Sequence, residues 1–130
     1  MKKNILCGLA GCALALSAVA KDQACTIRGD FVENGKREIV NNCLSNKGIS
    51  DADFGTACRD LLAAYQDGRS AKSASLISMQ MAGSCQAGYK TTCDGAFGYK
   101  VSWQFAPDDS WLKSGQAKQA CAADSGTWKP

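Results

Sequence analysis

The chain has 130 residues, with 15 lysines and arginines, 12 aspartates and glutamates, eight cysteines and no histidine. The formal net charge is +3, and after residue 20 the 13 basic and 12 acidic side chains nearly balance. This balance argues against nucleic acid as a partner, because that affinity rests on a large excess of basic side chains. The lack of histidine excludes Ser-His-Asp and Cys-His catalytic sites and histidine-bound metals. We therefore expect no cofactor and no metal, and a binding or structural role before a catalytic one.

Residues 1–20 have the pattern of a secretory signal peptide. Two lysines form a positive start, the run Ile5–Val19 is apolar, and Ala18-Val19-Ala20 fits a cleavage site. The apolar run falls short of the roughly 18–20 residues that a membrane-spanning helix needs, and no later run reaches that length. We predict a mature chain of residues 21–130, one domain without a transmembrane segment, in the bacterial periplasm or the medium.

An alternative interpretation places a lipid anchor at Cys12. The sequence Leu9-Ala10-Gly11-Cys12 resembles a bacterial lipobox, in which the cysteine is lipidated and becomes the first residue. The apolar segment before Cys12 would then be at the short limit of a signal, and the apolar residues after it would have no role. We favour the soluble form over an outer-membrane lipoprotein.

Six cysteines follow the predicted signal, and their spacing favours disulfides. They are Cys25, Cys43, Cys58, Cys85, Cys93 and Cys121. Zinc sites and thioredoxin-like sites need closely spaced cysteines, which the mature chain lacks, and exported proteins are oxidised. Three cysteines precede the polar stretch Gln66–Ser75 and three follow it. If all six pair, at least one disulfide must join the two halves, and the fifteen connectivities otherwise stay open.

The first half of the mature chain begins with a strand-like segment. Cys25–Glu33 carries strand-forming residues, and Asn34-Gly35 is a turn signal because both residues tolerate positive φ. The segment Lys36–Leu44 is ambiguous between the return strand of a hairpin and a helix. We favour a helix near 37–46, with Gly48 at its C-terminal cap.

The next helix, over residues 50–65, is the clearest element. Ser50 is a good N-cap, and apolar residues then recur at helical spacing. Cys58 lies on the apolar face, so its disulfide should be buried. Within the first strand, the tripeptide Arg28-Gly29-Asp30 is of a kind that adhesion receptors read, and we interpret it instead as a turn or bulge.

The second half predicts two strands and a helix. Alternation predicts strands over 76–82 and 99–105, the second with an aromatic face. The glycine-rich stretch 85–98 is predicted as a loop or short helix. A helix over 110–123 should end at Gly126, with a short edge strand at Thr127-Trp128. The fold class is therefore α+β, with a small antiparallel sheet, about three helices and three disulfides.

Five residues are candidates for a binding site. Large aromatic side chains anchor protein interfaces, and turns carry exposed carboxylates; the candidates are Tyr89, Trp111, Trp128, Asp108 and Asp109. The two adjacent aspartates also satisfy the composition of a two-carboxylate glycosidase, although after a proline we favour a turn and a helix N-cap. We expect a disulfide-held loop, Gln86–Thr92 or Pro107–Trp111, to enter the cleft of a target.

These features together predict an exported binding module. The favoured function is a protein inhibitor or immunity-type protein acting on an envelope or secreted hydrolase, so the partner is another protein in the envelope or medium. The alternative is a structural or adhesion-type envelope protein, or an accessory subunit of an envelope complex. A small-ligand carrier or a carboxylate-based hydrolase is the least favoured class.

Overall fold

The computed structural model describes residues 22–130, which form an antiparallel sheet of six strands and four helices. The predicted signal peptide and Cys12 lie outside the described residues. The strands are β1 (Ala24–Glu33), β2 (Lys36–Asn46), β3 (Ile77–Ala82), β4 (Thr91–Asp94), β5 (Val101–Phe105) and β6 (Thr127–Lys129). The helices are α1 (Asp51–Gln66), α2 (Ala71–Ser75), α3 (Ser110–Ser114) and α4 (Gln116–Ala123), with a 3-10 turn at Ala96–Gly98. The predicted α+β class is confirmed.

The strands lie in the order β3-β1-β2-β5-β4-β6, so the long hairpin β1–β2 lies between β3 and β5. At its turn, Asn34 and Gly35 both have positive φ (53° and 77°), as a two-residue hairpin turn requires. The predicted helix near 37–46 is therefore wrong, because this segment is β2. Gly48 caps no helix; its N–H donates to Asn46 Oδ1 at 2.9 Å.

Helix α1 confirms the prediction for residues 50–65. The Ser50 hydroxyl accepts a hydrogen bond from the Asp53 N–H at 3.1 Å, which caps the helix. Its apolar face packs on the sheet, and Cys58 on that face is bonded to Cys25 of β1. Both cysteines are fully buried, as predicted, so the disulfide holds helix and strand together inside the core.

The second half of the chain agrees with the predicted strands 76–82 and 99–105, which are β3 and β5, and with the short strand β6. It differs at two points. The stretch predicted as a loop or short helix contains β4, which pairs with both β5 and β6. The predicted helix 110–123 is two helices, because Gly115 takes a left-handed conformation (φ 84°) that ends α3.

The main core lies between the helices and one face of the sheet. Its fully buried large side chains include Ile27, Leu44, Phe54, Val101 and Phe105. All six cysteines of residues 22–130 are paired, in the disulfides Cys25–Cys58, Cys43–Cys85 and Cys93–Cys121. This pairing fits an oxidising, extracellular setting. The second disulfide joins the two halves of the chain, which confirms the counting argument from the sequence.

Among the helices of residues 22–130, none combines the length and the apolar character that crossing a bilayer requires.

Candidate binding surface

One face of the sheet, which we call the open face, is covered by none of the described helices. Because side chains alternate along a strand, it carries the residues of each strand that point away from the main core. On β1, β2 and β3 these residues include Thr26, Arg28, Asp30, Val32, Arg37, Ile39, Asn41, Ser78 and Gln80. Most are polar, as expected for the hydrated side of an antiparallel sheet. This face is therefore accessible to a partner.

The segment 83–90 folds over part of the open face. The disulfide Cys43–Cys85 fixes the start of the segment to β2, with the two Cα atoms 5.9 Å apart. Near its end, Tyr89 is only 7% exposed and packs with Ala24 in a small second cluster of buried residues. Most other residues of the segment are exposed. The segment is thus attached to the open face at two points, Cys85 and Tyr89.

A chain of hydrogen bonds joins this segment to the rest of the open face. The Arg28 guanidinium donates to the Tyr89 hydroxyl oxygen at 3.1 Å, and the Tyr89 hydroxyl donates to Asn41 Oδ1 at 2.8 Å. The Asn41 amide nitrogen then donates to Asp108 Oδ1 at 3.0 Å. All the bonds run from a cation toward a carboxylate, so each polarises the next in the same direction. We call Arg28, Tyr89, Asn41 and Asp108 the Asn41 cluster.

The buried side chain of Asp109 holds the loop of residues 107–109 against β2. Strand β5 ends opposite Asn42, and beyond that point β2 has no neighbouring strand on this side within the described residues. The backbone N–H groups of β2 that would bond to such a strand donate instead to side chains at the start of α3. Asp109 Oδ2 accepts from the Asn41 N–H and the Ser110 hydroxyl accepts from the Ile39 N–H, both at 2.8 Å. Loop 107–109 is therefore attached to β2 along its edge.

Asp109 also takes part in a buried polar network. Its Oδ1 accepts from the N–H groups of Trp111 and Leu112, which caps α3, and its Oδ2 accepts from the Asn42 side-chain amide at 3.1 Å. That amide also donates to the Tyr65 hydroxyl. Burial raises the pKa of the Asp109 carboxyl, although the hydrogen bonds that it accepts act in the opposite direction. Burial likewise raises the pKa of the Tyr65 phenol.

The hairpin end (residues 30–37) extends beyond both neighbouring strands, because the pairing of β1 with β3 stops at Gly29. On the open face its Asp30 and Arg37 form a bidentate ion pair, at 2.9 and 2.6 Å. The Arg37 hydrogen bonds hold the pKa of Asp30 below its usual value. Val32 on the same face is 64% exposed. The hairpin end thus presents one apolar and two charged side chains to solvent.

Behind the hairpin end, the Arg69 guanidinium lies 4.9 Å from the centre of the Phe31 ring. The same guanidinium forms an ion pair with Glu38 at 3.2 Å, and both side chains are largely shielded from solvent. A cation over an aromatic ring and a shielded ion pair each hold the two strands against the C-terminal end of α1. The hairpin end is therefore supported on its helical side.

A shallow depression of about 320 Å³ lies between the hairpin end and β3. Its lining includes Arg28, Ile39, Asn41 and Leu76. Leu76 is 48% exposed, and with Val32 it accounts for two of the three most exposed large apolar side chains of residues 22–130. Apolar side chains within a polar surround are the usual composition of a protein interface. The depression and the Asn41 cluster share residues and form one surface.

Two of the predicted binding residues are buried: Tyr89 and Asp109 are 7% and 1% exposed. Asp109 is the N-cap of α3, the role that the sequence favoured for one of the two adjacent aspartates. Each side chain holds its loop in place through hydrogen bonds and is not available to a partner in this conformation. Asp108, by contrast, is exposed. The predicted loops 86–92 and 107–111 do approach each other, because Tyr89 and Asp108 both bond to Asn41.

The two predicted tryptophans lie on the other side of the sheet. Trp111 is half-buried, with its ring 5.6 Å from Tyr65 and 6.2 Å from Trp103. It lines a groove with Phe97 beside α1, which widens toward the exposed Tyr99; we call this the aromatic groove. Trp128 is also half-buried, 6.0 Å from the ring of Phe105. Neither tryptophan belongs to the surface around Asn41.

Sequence reasoning missed several residues of this surface. Asn41 lies in the segment interpreted as a helix, and Val32 and Leu76 were treated only as parts of strands. The interpretation of Arg28-Gly29-Asp30 as a turn or bulge is wrong, since all three residues pair regularly with β2. Only the Asn34-Gly35 signal could have revealed this region, because a hairpin places Arg28 opposite Asn41.

Within residues 22–130, no group of three or more His, Cys, Asp or Glu side chains is placed to hold a metal ion. Comparison with protein-family models, curated proteins and solved structures finds no match to this chain.

Proposed function

We propose that the protein is an exported binding module of the inhibitor or immunity type, which blocks an envelope or secreted hydrolase. In this proposal the binding surface is the open face around the Asn41 cluster, with Val32 and Leu76 as apolar contacts and Asp108 as a charged contact. The target's cleft receives the exposed part of segment 83–90 or the loop at Asp108.

The observation that carries the proposal is the hydrogen-bond chain from Arg28 through Tyr89 and Asn41 to Asp108. It joins two loops that are far apart in sequence, and a disulfide fixes one of them independently. Ordering a flexible loop on binding costs conformational entropy. Loops that are already fixed avoid most of that cost, which is the property that a blocking protein needs.

Export is part of the same proposal. The pattern of residues 1–20 supports secretion, and three disulfides support a location in the periplasm or the medium. The lipobox interpretation at Cys12 gives the alternative, an outer-membrane lipoprotein with the same folded part.

A pull-down tests this proposal. The oxidised protein is immobilised and exposed to envelope extract and spent medium from its own and from competing bacteria, and the proteins retained after a salt wash are identified by mass spectrometry. One stoichiometric hydrolase, whose activity falls when the protein is added, is the expected result. Recovery of the protein alone, or of outer-membrane components without a hydrolase, would favour the structural or adhesion-type class instead.

Variants locate the surface once the target is known. The double variant Val32→Ser, Leu76→Ser should weaken binding at least tenfold, which corresponds to about 1.4 kcal/mol, with an unchanged thermal unfolding midpoint. Tyr99→Ser is the matched control, because Tyr99 is 51% exposed but lies beside the aromatic groove. Loss of binding in the control with full binding in the double variant would refute the choice of surface.

A further inference from the structure

The two edges of the sheet differ in how they are protected against pairing with another strand. Unpaired edges bind other strands, and proteins protect them with short strands, lysines, prolines or bulges. Strand β6 at one edge has three residues, includes Lys129 and is followed by Pro130. Strand β3 at the other edge has six residues, Ile-Ser-Met-Gln-Met-Ala, without charge or proline, and pairs with β1 in regular register. Of the two sheet edges that residues 22–130 form, the β3 edge alone is unprotected.

The register shows which backbone groups of β3 point outward. Asn46 N donates to Gln23 O at 2.8 Å, so odd-numbered residues of β1 bond toward β2 and even-numbered ones toward β3. The partners of those even-numbered residues are Ser78, Gln80 and Ala82. The N–H and C=O groups of the remaining residues of β3 therefore point away from the sheet.

Three residues of β3 carry the outward groups: Ile77, Met79 and Met81. The Ile77 carbonyl accepts a hydrogen bond from the Gln66 side chain at 3.3 Å, which agrees with the parity argument. Within residues 22–130, the outward N–H and C=O groups of Met79 and Met81 have no backbone hydrogen-bond partner. These two residues thus present four main-chain groups in the geometry that a neighbouring strand needs.

We propose that this edge pairs with the same edge of a second copy of the chain, strand against antiparallel strand, so that two sheets become one. Outward groups must face outward groups, and the Ile77 carbonyl is already bonded. The register that engages both Met79 and Met81 without Ile77 sets Met79 of one copy opposite Met81 of the other and Gln80 opposite Gln80. A strand without charged side chains can pair with itself because no like charges meet.

The surface beside this edge is also complementary to itself. A depression of about 360 Å³ next to β3 is lined by Met79 and Met81, by Asp51, Gly55 and Arg59 of α1, and by Asp22. The two-fold axis of an antiparallel strand pair sets the two α1 helices antiparallel. Arg59 of one copy then lies toward the Asp51 end of the other, and the half-buried methionines of both copies cover each other. A self-complementary patch is what a two-fold interface requires.

The test measures the mass of the oxidised protein in solution by sedimentation at increasing concentration. We expect a dimer at about 0.1 mM, where a complex with a Kd of about 1 μM is almost fully formed. Gln80→Lys and Gln80→Glu should each be monomeric at that concentration, because like charges would face each other across the axis. An equimolar mixture of the two variants should recover the dimer. Hydrogen exchange should slow at the Met79 and Met81 amides in the dimer alone.

The matched controls are Thr127→Lys and Thr127→Glu, at an exposed position of the other edge strand, which should leave the dimer intact. A wild-type monomer at about 0.1 mM, or a dimer that survives in both separate Gln80 variants, would overturn the proposal. The inference does not rest on the proposed function, because neither the β3 edge nor its test involves a residue of the Asn41 cluster.

Discussion

Replacing Asp109 with alanine should destabilise the protein much more than replacing its neighbour Asp108. The variant removes the N-cap of α3, a loss of about 1 kcal/mol. It also leaves the Asn41 N–H and one hydrogen of the Asn42 amide without an acceptor, at about 1–3 kcal/mol each. Relief from burying a carboxylate, whose cost is visible in the raised pKa, offsets part of this sum. We expect a net loss of about 3–4 kcal/mol.

Urea unfolding followed by tryptophan fluorescence measures this loss. In thermal unfolding of a domain of this size, the midpoint temperature should fall by about 10–20 °C. Asp108→Ala is the control: Asp108 is exposed and accepts one surface hydrogen bond, so less than about 1 kcal/mol is expected. The same control should weaken binding to the target. A loss below about 1 kcal/mol in Asp109→Ala would show that the buried network does not hold the loop.

Three further predictions concern other parts of the fold. Gly126→Ala should cost about 1–3 kcal/mol in urea unfolding, because its Cβ would lie 2.6 and 2.8 Å from the sulfurs of a disulfide; Gly88→Ala, with open space around it, should cost nothing measurable. Tyr89→Phe should lower stability by about 1 kcal/mol and speed hydrogen exchange in segment 83–90, with binding weakened. The Lys129 hydrogen bond lowers the pKa of Asp94, so the pair stabilises the fold above the ordinary pKa and loses that effect as pH falls through the lowered value. Lys129→Ala should therefore reduce stability at pH 7, by less than about 1 kcal/mol, and the difference from the wild type should shrink as the pH falls through the lowered pKa of Asp94.

The sequence predicted those elements that local patterns determine. Helix α1 has a capping serine and an apolar face at helical spacing, and both signals come from within the segment. The strands β3 and β5 alternate clearly. The error at β2 has a physical cause: Val40, Cys43 and Leu44 fit one side of a helix, yet in the strand Cys43 bonds to the loop on the open face while Val40 and Leu44 enter the main core. The true signal was the Asn-Gly turn, which makes the chain return.

Strand β4 could not be predicted because its order comes from its neighbours. Its four residues, Thr91–Asp94, are too few and too polar to show a period, and they form a strand because β5 and β6 bind both edges. The break at Gly115 was visible as a glycine, but a single glycine inside a helical pattern is often tolerated. Here two short helices pack on the sheet where one longer helix was expected, and Cys121 of the second bonds to β4.

The proposed binding surface could not be predicted because it depends on two pairs of adjacent residues that meet only in the fold. Asn41 and Asn42 point to opposite faces of β2, as neighbours in a strand must. Asp108 bonds to the first on the open face, and Asp109 bonds to the second in the core. The exposed pair orients a loop toward solvent, while the buried pair prevents that loop from moving. A change in the core at Asp109 should therefore reach the surface, because Asp109 is adjacent to Asp108 and also accepts from the Asn41 N–H. A change at Asp108 removes one surface hydrogen bond and should disturb the core less.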